Sequence, residues 1–265
     1  MAVRRVGTVE FVRGSVRGSR RRALATLPSL FTLANMMCGF AAVLVAFRGD
    51  YGLACLLIAL SVVFDITDGA VARLVGAVSP FGLQFDSLAD LVSFGLAPPL
   101  LAFALFSGDR DQLDVLGWVV CFLWVACAAV RLARFNTTID PTADKRYFTG
   151  LPSPGAAAVV LASVFAFEEQ MQGRERLWVL LVLAVPALLM ISNVRYRSFR
   201  SLVSPKSRRP YGLVVAVLVL LAGLAVQPRA TVCVFAYAYL FSPVLVPAVG
   251  PLGRLVPPRL KEVLS

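Results

Sequence analysis

The stretch DITDGAVARLVGAVSPFGLQFDSLAD, residues 65–90, places four aspartates between two runs of apolar residues. Asp65 and Asp68 are three residues apart, and Asp86 and Asp90 are four apart, so each pair shares one face if its segment is helical. A short loop separates the two pairs, and helices joined by such a loop can bring both acidic faces together. The stretch therefore predicts two neighbouring helices whose aspartates converge.

The composition predicts that these helices lie in a membrane. The chain has 265 residues, of which 58% are hydrophobic and 15% are charged, and its mean hydropathy of +0.79 exceeds that of ordinary soluble proteins. The fold class expected is all-α, a polytopic bundle of about eight transmembrane helices. The second and third apolar runs are shorter than the 17 to 25 residues that a span needs, so we expect these two helices to continue through the aspartate stretch. The predicted apolar cores are approximately 31–47, 52–64, 91–106, 115–130, 155–167, 177–192, 212–226 and 231–249.

Basic residues predict which side of the membrane each loop occupies, because cytosolic loops carry an excess of Lys and Arg. With eight helices and a cytosolic N-terminus, all but a few of the 26 Lys and Arg residues fall on the cytosolic side. Both termini and the aspartate stretch are then expected to be cytosolic. The exceptions are Arg48, Arg110, Arg174, Arg176 and Arg229.

The chain divides into a basic cytosolic segment at 1–26, a transmembrane domain at 27–250 that carries the site, and a cytosolic tail at 251–265. The first segment is either an interfacial helix or a disordered basic tail. We attribute the net charge of +11 to attraction for anionic membrane lipids and expect no nucleic-acid partner.

The aspartates themselves predict a divalent metal site. Each carboxylate at membrane depth costs about 2.5 to 3.5 kcal/mol on insertion scales, so they need compensation. The chain has no histidine, and a set of oxygen ligands suits Mg²⁺, Mn²⁺ or Ca²⁺. Gly69, Ala72 and Gly82 keep the helix surfaces thin beside the aspartates, where a diphosphate could approach. The alternative is that the aspartates form structural ion pairs with arginine, although only Arg73 is near them in sequence.

The pattern Asp65-x2-Asp68-Gly69-x2-Ala72-Arg73-x8-Gly82-x3-Asp86-x3-Asp90 resembles the signature of the CDP-alcohol phosphatidyltransferases. The resemblance implies an integral membrane enzyme, usually a homodimer, that transfers a phosphatidyl group from a CDP-linked lipid to an alcohol and releases CMP at the cytosolic face. The four aspartates would hold the divalent metals, and Asp90 would also serve as the catalytic base. The resemblance also assigns the CDP-lipid site, to Asp65, Asp68, Gly69, Ala72, Arg73 and Gly82.

Three further stretches are similar to the phosphatidylserine synthase branch of that family: LPSLFTLANMMCGFAAV at 27–43, RLARFN at 131–136 and YFTGLPSPGAAA at 147–158. This similarity implies CDP-diacylglycerol and L-serine as substrates. Serine carries a carboxylate, which Arg131 and Arg134, three residues apart, could bind. Asn136 and the backbone of 150–154 could help to position the carboxylate or the ammonium, and Ser153 is most simply a helix cap.

Other interpretations stay open from the sequence. The same core could accept glycerol 3-phosphate, an inositol compound or choline, and Arg131 and Arg134 could merely anchor a helix at the membrane surface. A cation transporter or channel would also use acidic residues. Such a protein is expected to carry charges near the centres of several helices, whereas the apolar centres of the fourth to eighth predicted helices have none.

Overall fold

The computed structural model describes residues 29–76, 79–106, 112–137, 147–166, 176–197, 218 and 221–243. Over these ranges the chain is a bundle of helices with one short antiparallel pair of strands. The all-α class is therefore confirmed. The elements are α1 (Ser29–Ala46), α2 (Tyr51–Val75), α3 (Pro80–Asp90), a π-helical turn (Leu91–Leu96), α4 (Ala97–Phe106), α5 (Gln112–Thr137), β1 (Tyr147–Thr149), α6 (Ser153–Ala166), α7 (Arg176–Ile191), β2 (Arg195–Arg197) and α8 (Pro228–Leu240).

Among the residues that the structure describes, four helices are long and apolar enough to cross a membrane: Ser29–Ala46, Tyr51–Leu74, Pro80–Leu105 and Val115–Thr137. Within the described part of the chain, α6 and α7 are apolar but shorter. The chain is thus a membrane protein, but the predicted count of eight spans is not confirmed. The segments at 1–26 and 251–265, and most of the seventh predicted helix, lie outside the described residues.

Two helices pass through the aspartate stretch, as the sequence predicted. The first, α2, continues to Val75 and ends at Gly76, whose φ of 64° is left-handed. The second begins after Ser79, whose Oγ accepts from the backbone N–H of Gly82 at 3.0 Å and caps the helix. From Pro80 it runs without a break through α3, the π-helical turn and α4.

The π-helical turn is held between α1 and α5. On one side, Gly39 lets α1 approach closely, because a Cβ there would lie 2.5 Å from Ser93 Cα, and Ser93 Oγ donates to the backbone carbonyl of Asn35 at 2.9 Å. On the other side, the buried Trp124 donates through Nε1 to the carbonyl of Phe94 at 3.0 Å. These contacts fix the segment that directly follows Asp90.

The strand pair sets the entrance to α6. Strands β1 and β2 pair with Phe148 opposite Tyr196, and the N–H of Gly150 donates to the carbonyl of Val194 at 2.8 Å. Gly150 has a φ of 83°, and a Cβ there would collide with the carbonyl of Met190, so both backbone and space require glycine. The turn delivers Ser153, the first residue of α6, to the bundle interior, where it is buried.

Candidate active site

Carboxylates from two helices meet where α2 and α3 face each other. Asp65 and Asp68 lie on α2 and Asp86 lies on α3, and one ligand oxygen from each lies within 4.8 Å of the others. We call these residues the three-carboxylate group. The convergence expected from their spacing is therefore present in the fold.

The three-carboxylate group fits a divalent cation. Carboxylates this close repel one another, by about 4 kcal/mol per pair for charges about 4 Å apart at an effective dielectric constant of about 20. Asp86 Oδ1 is also buried and has no hydrogen-bond partner among the described residues. A buried acceptor of this kind needs a partner, and oxygen ligands are those that Mg²⁺, Mn²⁺ and Ca²⁺ prefer. The positions of the three carboxylates and their oxygen ligands therefore both fit a divalent cation.

Asp90 has a different environment from the other three aspartates. It lies one helical turn after Asp86, and its Oδ1 accepts a hydrogen bond from Asn35 Nδ2 at 3.2 Å. Within the residues described, Asp90 is not part of the group whose oxygens approach to 4.8 Å. Its assignment as a metal ligand stays a prediction. The contact with Asn35 is compatible with its other predicted role as a base.

Helix α1 supplies two site residues that the sequence analysis did not single out. Thr32 Oγ1 donates to Asp68 Oδ2 at 3.0 Å, and Asn35 donates to Asp90. Both are buried and lie three residues apart on one face of an apolar helix. The available signal in the sequence was two polar residues at that spacing in an otherwise apolar run, because polar residues within a membrane span need polar partners.

The positions assigned to the CDP-lipid site lie on the two helices that carry the aspartates. Gly69 and Ala72 are half-buried on α2, and Gly82 lies in the first turn of α3. The guanidinium of the exposed Arg73 lies over Gly69, 3.4 Å from the place a Cβ would take. Arg73 is also close enough to Asp68 for electrostatic interaction. One cation and a thin helix surface thus lie together beside the aspartates.

The residues predicted to bind the acceptor have separate partners. Arg131 donates to Ser153 Oγ at 2.7 Å, and Arg134, which is exposed, donates to Asn193 Oδ1 at 3.1 Å. Asn136 Nδ2 donates to Ser87 Oγ at 2.9 Å, beside Asp86. The two arginines therefore contact different segments of the chain. The side chain of Ser153 contacts Arg131. Acceptor binding by the three residues stays a prediction.

Arg131 is a second cation near the acidic residues. It is half-buried, and it is close enough to Asp90 and Asp65 for electrostatic interaction. Tyr239 on α8 also interacts electrostatically with Arg131, and its ring lies against Gly155, where a Cβ would be 2.7 Å from Tyr239 Cε1. Tyr239 was not among the predicted site residues, because the stretches that resemble the family end at residue 158.

Comparison with known proteins gives one family and several relatives. The family model for CDP-alcohol phosphatidyltransferase matches residues 25–191. A CDP-diacylglycerol–serine O-phosphatidyltransferase from Helicobacter pylori is 34% identical over 219 residues, which are 82% of this chain and 89% of that protein. An archaetidylserine synthase from Methanothermobacter thermautotrophicus is 34% identical over 174 residues, 64% of this chain and 69% of the relative. The Saccharomyces cerevisiae CDP-diacylglycerol–serine O-phosphatidyltransferase is 43% identical over 114 residues, 41% of this chain and 40% of the relative.

Proposed function

Because the chain belongs to the CDP-alcohol phosphatidyltransferase family, we propose that it transfers a phosphatidyl group from CDP-diacylglycerol to the hydroxyl of L-serine, giving phosphatidylserine and CMP. The three-carboxylate group is the observation that carries the chemistry, since it fits the divalent metal that phosphoryl transfer uses. The choice of serine is supported by the names of the relatives from Helicobacter pylori and Saccharomyces cerevisiae.

Asp65, Asp68 and Asp86 would hold the divalent metal, with Asp90 as a fourth ligand. Mg²⁺ and Mn²⁺ are proposed as the ions used, and Ca²⁺ as an ion that can bind. When bound, the metal would neutralise charge on the diphosphate and on the departing CMP. Thr32 orients Asp68 by donating to Oδ2, which leaves Oδ1 for other contacts. Gly69, Ala72 and Gly82 would leave room for the nucleotide diphosphate, and Arg73 would contribute positive charge beside it.

Asp90 is proposed as the catalytic base. The serine hydroxyl oxygen would form a bond to the β-phosphorus of CDP-diacylglycerol while the bond from that phosphorus to the CMP oxygen breaks. Asp90 would take the hydroxyl proton, since the chain offers no histidine for this step. The N–H donated by Asn35 to Asp90 Oδ1 keeps one carboxylate oxygen in place and leaves Oδ2 to accept the proton.

Arg131 is proposed to bind the serine carboxylate. Its side chain is partly withdrawn from solvent, its NH1 is held by Ser153, and it lies near Asp90, so a carboxylate bound there would place the substrate beside the base. A guanidinium suits this role because it can donate two parallel hydrogen bonds to a carboxylate. Arg134 and Asn136 are proposed as secondary acceptor contacts.

A panel of acceptors tests the proposed function. The purified protein would receive CDP-diacylglycerol with serine, glycerol 3-phosphate, inositol phosphate or choline in separate reactions, and the lipid product would be identified by mass. Phosphatidylserine is the expected product, formed only with serine. A different phospholipid would overturn the acceptor and keep the reaction class. Failure to release CMP with every acceptor would overturn the transferase and favour the cation transporter.

Replacement of Arg131 by alanine is expected to raise the KM for serine by about 10-fold or more, the effect of losing a charge-assisted hydrogen bond. The KM for CDP-diacylglycerol should change little. Arg134→Ala is the matched comparison, and its effect should be smaller because Arg134 is exposed. Steady-state kinetics with each substrate varied in turn measure both constants. An equal loss for both substrates in both variants would indicate that the arginines anchor the helix.

We propose that the site and both termini face the cytosol and that the transmembrane catalytic domain covers residues 27–250, flanked by the basic segment at 1–26 and the tail at 251–265. The distribution of Lys and Arg supports this arrangement. Reporter fusions at each terminus would test the orientation.

We also propose that the protein is a homodimer, on the basis of the family resemblance. Measuring the mass of the protein assembly in lipid nanodiscs would test this proposal.

A further inference from the structure

Asn35 is a buried amide beside the proposed base. Its side chain has 0% exposure, and its Nδ2 donates to Asp90 Oδ1 at 3.2 Å. This contact distinguishes the two ends of the amide, because only the NH₂ end can donate to a carboxylate. The other end, Oδ1, is therefore an acceptor on the same planar group that touches Asp90.

Asn35 Oδ1 has no hydrogen-bond partner in the described part of the chain. A buried polar atom left unpaired costs about 1 to 3 kcal/mol, so this atom calls for a partner. The backbone carbonyl of Asn35 accepts from Ser93 Oγ at 2.9 Å, a contact that joins α1 to the π-helical turn and does not involve the amide. Gly39 packs directly on Ser93 one turn further along α1. The NH₂ end of the amide is thus engaged by Asp90, whereas its oxygen end has no partner among the described residues.

We propose that Asn35 Oδ1 accepts a hydrogen bond from the ammonium group of the acceptor amino acid, an inference that rests on the proposed function. In serine the hydroxyl and the ammonium are on adjacent carbons. A hydroxyl that faces Asp90 therefore presents the ammonium to a neighbouring group, and Asn35 is such a neighbour because it donates a hydrogen bond to Asp90. Arg131 cannot fill this role, because a guanidinium has no acceptor.

The site would then recognise each polar group of serine separately. Asp90 receives the hydroxyl proton, Arg131 binds the carboxylate, and Asn35 Oδ1 binds the ammonium. A substrate without an ammonium would leave the amide oxygen buried and unpaired, which is an effective way to reject it. Asn35 thereby acts as a specificity residue contributed by α1, 55 positions before Asp90 in the chain.

Two partial analogues of serine separate these contacts. Ethanolamine has the hydroxyl and the ammonium but no carboxylate, whereas 3-hydroxypropionate has the hydroxyl and the carboxylate but no ammonium. Each would be measured as a competitor of serine in phosphatidylserine formation. Asn35→Leu is expected to raise the KM for serine and to weaken ethanolamine inhibition, each by about 10-fold or more, the scale of a hydrogen bond to a charged group. Inhibition by 3-hydroxypropionate should change by less than about 3-fold, and Arg131→Ala should show the opposite pattern.

Two further variants control for structural damage. Ser93→Ala removes the hydrogen bond to the Asn35 backbone without altering the amide, and it should leave the KM for serine within about 2-fold of the wild-type value. Asn35→Ala repeats the test with a smaller side chain if the leucine variant does not fold.

Several results would overturn the inference. These are unchanged ethanolamine inhibition in the folded Asn35 variant, equal weakening of both competitors, or the same losses in Ser93→Ala. A wild-type protein that makes no phosphatidylserine from serine would overturn the proposed function as well. Normal serine turnover in the wild type with unaltered ethanolamine inhibition in the Asn35 variant would overturn only the role of Asn35.

Discussion

Excess EDTA is expected to abolish phosphatidyl transfer, with a loss of about 10²-fold or more in turnover, and added Mn²⁺ or Mg²⁺ is expected to restore it. The reason is the three-carboxylate group, whose ligand oxygens lie within 4.8 Å of one another. Without a cation these charges repel one another and would also repel the diphosphate of the substrate. Release of CMP, measured with and without chelator, reports the loss and its recovery.

Direct metal binding provides a second measurement of the same site. Calorimetric titration with Mn²⁺ should show binding to the wild-type protein and much weaker binding to Asp86→Asn, which replaces a half-buried carboxylate with a neutral amide. Asp50→Asn is the matched control, because Asp50 caps the opposite end of α2 and asparagine caps a helix equally well. Undiminished turnover in excess EDTA would contradict the proposed role of the metal.

Asp90→Asn is expected to lower kcat by about 10²-fold or more, the usual contribution of a general base. Asparagine has nearly the same size and keeps an oxygen that can accept from Asn35, but it cannot take a proton from the serine hydroxyl. Binding of metal and of CDP-diacylglycerol should be largely retained. Steady-state CMP release gives kcat, and calorimetry on the same preparation gives the binding.

The two measurements distinguish the roles proposed for Asp90. A fall in kcat with normal Mn²⁺ binding would identify Asp90 chiefly as the base. Loss of metal binding together with turnover would make it chiefly a ligand. Near-normal turnover would remove it from the mechanism as a base. Asp50→Asn again serves as the control for substitution of an aspartate outside the site.

Much of the site follows from local spacing. The separation of Asp65 from Asp68, and of Asp86 from Asp90, determines which side chains share a helix face whatever the rest of the chain does. Such features depend on residues within a few positions of one another, and the sequence displays them directly.

Prediction of the acceptor residues was less complete. Arg131 and Arg134 share a face by spacing, yet one donates to Ser153 on α6 and the other to Asn193 after α7. Which of two neighbouring side chains enters the interior depends on how α5 packs against α6 and α7. The left-handed turn at Gly150 is part of that packing, because it brings the start of α6 to its place.

Composition and local periodicity are enough to predict a helical membrane protein whose aspartates lie in pairs on two helix faces. The contribution of α1 to the site could be seen only in the folded chain. Thr32 reaches Asp68 across 36 positions and Asn35 reaches Asp90 across 55. The second contact is made where α1 approaches the π-helical turn closely, at Gly39. Helical periodicity determines which residues share a face of each helix. Which faces contact one another depends on how the whole bundle packs.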